Sequence, residues 1–131
     1  MSVRHIRLDP ANPEARFSAA TMPRLEFRQA LFFTNDPPLE WHRRLSRAAL
    51  MVTTKAFDAD GRQLVVDHQP QRFSLLYNHT WPDPVFKDIK RWNYVPVELR
   101  ADAPVVGWLL EIRLRDLRLK EGEYVEVAFL G

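Results

Sequence analysis

Ten prolines divide the 131-residue chain into short pieces, and between them the apolar residues mostly recur at every second position. Proline fixes φ and removes a backbone donor, so long helices and central strands cannot run through it. The prolines cluster at Pro10/Pro13, Pro37/Pro38, Pro82/Pro84 and Pro96/Pro104. Between them, Leu25, Phe27, Leu31 and Phe33 share one strand face, interrupted by Gln29, with Arg24, Glu26 and Arg28 opposite. Trp108, Leu110, Ile112 and Leu114 alternate with Glu111, Arg113 and Arg115, while Val125, Val127 and Phe129 alternate around Glu126. A period of two with charge on the outer face predicts antiparallel strands buried on one side.

Turn chemistry predicts two hairpins. Residues Leu50 to Phe57 lead into Asp58-Ala59-Asp60-Gly61 and out through Gln63 to Asp67, with Gly61 supplying the positive φ. The second joins Leu117–Lys120 to Tyr124–Leu130 through Glu121-Gly122, and the slip in alternation at Asp116 reads as a bulge or short bend within a continuing strand. Helix is scarce. Asp83-Pro84 starts one over residues 84–93, and Asp36-Pro37-Pro38 starts another through Glu40 to Arg47, with Trp41 and Leu45 inward. About seven or eight strands with one or two short helices predict a single antiparallel β-sandwich-like domain, or a partly closed barrel, over residues 1–131. Residues 9–23 read as an irregular arm or long loop.

Composition narrows the chemistry. The absence of cysteine excludes disulfides, thiolate nucleophiles, iron–sulfur clusters and Cys-bearing zinc sites. Charge interrupts every apolar step of the first ten residues and no run of eighteen apolar residues occurs, so neither a signal peptide nor a membrane span is expected. Cytoplasm is the expected compartment, with a virus particle or a specialised secretion machine also compatible. No Gly-rich phosphate cradle and no nucleophile elbow surrounds Ser2, Ser18, Ser46 or Ser74. No enzyme is supported by these motifs, although a pair such as Glu40 and His42 could be assembled by the fold from distant positions. Asp67-His68 and Asn78-His79 with Asp83 contain the groups for acid–base or metal chemistry, but strand geometry separates His68 from His79 by roughly 20 Å. The DADG of residues 58–61 lacks the terminal glutamate of a calcium loop, the twelfth position being Gln69. Asn78-His79-Thr80 fits a glycosylation sequon, expected to be unused without a secretory signal. No catalytic residue, metal or cofactor is therefore expected.

Partner binding remains. Arg43, Arg44 and Arg47 form one basic cluster near Trp41, Lys87, Lys90 and Arg91 another near Trp92, and Arg113, Arg115 and Arg118 a third. Arg and Lys beside Trp suit single-stranded nucleic acid, yet Glu40, Asp88, Glu111 and Asp116 are interleaved. The whole-chain excess is only +2, despite a pI near 9.2. Aromatic density is greater evidence: Trp81, Phe86, Trp92 and Tyr94 fall within a Pro-bounded excursion, beside Lys87, Lys90 and Arg91. Such residues anchor protein interfaces. The sequence thus predicts a non-enzymatic binding or assembly module, whose partner is another protein or copies of itself. A nucleic-acid-binding accessory domain is the alternative, and a small enzyme or a carbohydrate- or ligand-binding module comes third.

Overall fold

The computed structural model describes residues 3–22, 24–75, 92–94, 98–99 and 104–130. The elements are β1 (Val3–Leu8), β2 (Glu14–Ala19), β3 (Arg24–Phe33), α1 (Pro38–Leu45), β4 (Ala49–Phe57), β5 (Gln63–Leu64), β6 (Val66–Asp67), β7 (Gln71–Ser74), β8 (Trp92–Tyr94), β9 (Glu98–Leu99), β10 (Gly107–Arg115) and β11 (Tyr124–Leu130). One sheet has the order β1-β11-β3-β8. The other has the order β2-β10-β4-β5, with β7 also on β4; β6 and β9 pair separately. All of these pairings are antiparallel.

The two large sheets face each other across one apolar cluster. Leu8, Phe32, Val125, Val127 and Phe129 come from the first sheet and Leu50, Val52, Leu110 and Ile112 from the second. Phe17 of β2 meets Phe129 of β11 with ring centroids 4.9 Å apart. The alternation in β10 and β11 selects their inward residues, and no closure into a barrel is found among the described residues. The domain is mostly β and sandwich-like. β1 touches β2, which sets β1 and β2 along one side of the sandwich and β7 and β8 along the other.

Leu45 is fully buried, Trp41 packs against the core, and α1 starts with Pro38 in its first turn, as the sequence predicts. The helix stops at Leu45 rather than Arg47, where Ser46 Oγ donates to the Arg43 carbonyl at 2.8 Å. The first hairpin also forms, and Gly61 has φ +78°. Asp58 Oδ1 accepts the Asp60 and Arg62 amides, both at 2.9 Å, which explains the acidic turn without a cation.

Other expectations need correction. Residues 9–23 are not an irregular arm: Glu14–Ala19 is β2, paired along β10 from Trp108↔Ala19 to Arg113↔Glu14. Eleven strands occur among the described residues, more than the seven or eight expected, because β5, β6 and β9 are only two residues long. In β3 Phe32, which the alternation of Leu25, Phe27, Leu31 and Phe33 did not select, is buried in the core; the register against β11 shifts between Val127 and Phe129. The second hairpin does not form. β10 ends at Arg115, Asp116 takes φ +58°, and β11 joins the opposite sheet between β1 and β3. Leu117 and Leu119 pack against the core along this crossing, so their apolar spacing reports a path between sheets rather than a strand.

Candidate interaction site

The predicted partner-binding segment is rooted at both ends. β7 holds the edge of β4 by the pairs Ala49↔Ser74 to Val52↔Gln71, and the next residue, Leu75, is fully buried and donates its amide to the Ala48 carbonyl at 3.0 Å. The chain next pairs at β8, where Trp92, Asn93 and Tyr94 stand opposite Glu26, Leu25 and Arg24 of β3. The segment therefore leaves the edge of one sheet and rejoins at the edge of the other, on the same side. Trp81, Phe86, Lys87, Lys90 and Arg91 lie outside the described residues, as do Asn78, His79 and Asp83. Of the seven predicted interface residues the structure places the backbone of Trp92 and Tyr94. Both are in a strand, which corrects the predicted helix at its C-terminal end: Trp-Asn-Tyr ahead of Pro96 suits a short edge strand better than a last helical turn.

The first basic cluster is divided by the fold. Arg44 leans inward over the Phe32 ring, 5.5 Å from its centroid, and joins Glu123 and Asp36. Its Nη1 lies 2.8 Å from Asp36 Oδ2 and 2.5 Å from Glu123 Oε2; its Nη2 lies 2.7 Å from Glu123 Oε1 and donates to the Arg118 carbonyl at 2.9 Å. Thr34 Oγ1 and the Lys120 amide also donate to Glu123, at 2.5 and 2.7 Å. Burial pushes the Glu123 carboxyl up, but these donors more than offset it and hold it at about 2. The Arg44 guanidinium, bonded to Glu123, is raised above its ordinary value. Arg44 is thus an internal tie from α1 to the β10–β11 crossing, while Arg43 and Arg47 remain exposed. Trp41 packs against the core, so the stacking platform imagined beside this cluster is largely occupied. Sequence reasoning missed Glu123 because its partner is 79 residues away; its only local mark is the turn residue Gly122 before it.

The histidines are separate. His5 on β1 is 3.8 Å from Glu126, the His42 ring on α1 is tilted against that of Trp41 with centroids 6.0 Å apart, and His68 takes φ 59° between β6 and β7. β5 and β7 both pair with β4, so His68 lies in the connection that returns the chain to the same strand. Glu40 faces Arg43 at 3.6 Å rather than His42. Among the described residues no three His, Cys, Asp or Glu side chains are grouped to hold a metal ion, and no helix is long and apolar enough to cross a membrane. No family model, curated protein or solved structure matches the chain.

Proposed function

We propose that the chain is a non-enzymatic binding or assembly module that docks another protein or copies of itself through residues 78–94. The observation that carries this reading is the length of chain between β7 and β8. Face-to-face sheets are about 10 Å apart, a gap that about three extended residues cross. The chain uses the sixteen residues 76–91 between Leu75 and Trp92. Long excursions on a rigid scaffold commonly carry recognition, and this one contains Trp81 and Phe86 with Lys87, Lys90 and Arg91. The inward Arg44 weakens the nucleic-acid alternative at α1, because a guanidinium bonded to two carboxylates is withdrawn from phosphate.

Burying a large aromatic in a partner contributes roughly 1.5–3 kcal/mol. A tenfold change in affinity needs only about 1.4 kcal/mol. Trp81→Ala is therefore expected to weaken association at least tenfold while leaving the thermal midpoint of the isolated chain nearly unchanged. Light scattering across a concentration series reads the first quantity, and a melting curve on dilute protein reads the second. A sharp fall in the midpoint would make Trp81 a plug on the end of the sandwich and the segment a lid without bearing on partners. A wild-type mass that stays monomeric at every concentration would remove self-assembly.

A further inference from the structure

Cations that are far apart in sequence meet on the outer face of the β2-β10-β4-β7 sheet. The register sets them in rows: Arg113 stands between Glu14 and Met51, and Met51 is opposite Arg72. Arg16 is opposite Glu111, Arg115 is opposite Ala49, and Lys55 is opposite Leu109. Their strand neighbours Leu50, Val52, Leu110 and Ile112 are buried in the core, so these positions face away from it. The face holds five cations against the carboxylates of Glu14 and Glu111, on a chain whose total excess is two.

The charges are not equivalent. Lys55 Nζ is 2.6 Å from Glu111 Oε1, so that pair is neutral, and Arg115 Nε is 3.9 Å from Asp116. Arg72 gives one N–H to the Arg47 carbonyl at 3.4 Å and keeps its charge exposed. Arg16 and Arg113 are exposed and make no ion pair among the described residues. Both line a depression of about 570 Å³, together with Glu14, Thr53 and Lys55. Strand geometry puts Arg16 and Arg113 about 8 Å apart and Arg113 and Arg115 about 6.8 Å apart. Carboxylates on alternate residues of an extended peptide repeat at about the same 6.8 Å.

We propose that this face docks an acidic, extended segment of a partner protein. Glu14, set among these cations, discriminates between polyanions. A phosphate backbone presents negative charge at every step and would meet its carboxylate, whereas a polypeptide can set a neutral or basic residue against it and its acids against Arg16, Arg113 and Arg72. Arg16, Arg72 and Arg113 lie outside residues 78–94, and the proposal does not rest on that segment.

The test is fluorescence anisotropy with two labelled probes, a peptide alternating Glu and Ser and an oligothymidylate of matched charge, at low and moderate salt. The peptide is expected to bind the more tightly, with affinity falling as salt rises. Arg16→Gln/Arg113→Gln should weaken it at least tenfold with an unchanged melting midpoint, since both side chains are solvent-exposed. Arg43→Gln/Arg47→Gln at α1 should leave peptide binding within twofold, which separates this face from the exposed arginines at the helix. Equal losses in the α1 variant would show diffuse attraction to a basic protein and overturn the proposal. So would tighter binding of the oligothymidylate, which would assign the face to phosphate, or failure of the peptide to bind.

Discussion

Four donors converge on the carboxylate of Glu123, whose side chain is only 5% exposed. A carboxylate this buried is tolerated because every oxygen is bonded and the charge is balanced by Arg44, itself shared with Asp36. Its pKa lies below the ordinary 4.5, at about 2. The folded state therefore binds this proton more weakly than the unfolded chain, so the stabilisation is complete above about pH 4.5 and is lost as pH falls towards 2. The shift corresponds to about 3 kcal/mol. Urea titrations at stepped pH should show that slope in the wild type. In Glu123→Gln it should be reduced, with about 3 kcal/mol already lost at neutral pH because Arg44 is left underpaired. A second residue points the other way. Thr54 is buried with Oγ1 unbonded, at a gap in the sheet edge between β5 and β7, where Gln69 Oε1 accepts the Thr54 amide at 2.8 Å in place of a neighbouring strand. Thr54→Val keeps the shape and removes the orphaned hydroxyl. It is expected to raise stability by about 1 kcal/mol, read from the melting midpoint.

At the scale of elements, β10 behaves as its alternation says. It is flanked by β2 and β4, and Leu110 and Ile112 are buried while Arg113 is exposed. Leu110→Asp or Ile112→Asp would bury an unpaired carboxylate between the sheets and cost several kcal/mol, on the order of the whole stability of a small domain. Glu111→Ala removes only the half-exposed pair with Lys55 and should cost under about 1 kcal/mol. Equal destabilisation of the two classes in a denaturant titration would show that the buried face is wrongly assigned. The strand that follows carries the contrary lesson. Residues 117–130 have the alternation, the glycine and the turn length of a hairpin, yet β10 and β11 pair in different sheets. Local pattern describes a strand's two faces, but the Arg44–Glu123 tie and the inward Leu117 and Leu119 turn this connection across the sandwich.

Over the whole molecule, most connections change sheets: β1 to β2, β2 to β3, β3 to β4, β7 to β8 and β10 to β11 each join strands of opposite layers. That pattern makes a sandwich, and it leaves β4–β5 as the plain hairpin among the described connections. The class, the inward residues of β10 and β11, and the start of α1 at Pro38 were legible in the sequence, because side-chain alternation and proline geometry are set within a few residues of each position. The partners of each strand were not legible. The strand within 9–23 was passed over although Glu14–Ala19 alternates strictly, because two of its three inward residues are alanines and the large apolar contact of the third, Phe17, lies across the sandwich on Phe129. The same holds for the sites. An aromatic, proline-bounded segment can be seen in one dimension, whereas the removal of Arg44 from its basic cluster cannot. The meeting of Arg16, Arg72 and Arg113 on one face is likewise decided by register between strands. Periodicity is local and survives in the sequence; strand pairing and charge convergence are properties of residues distant in sequence, and only packing brings them together.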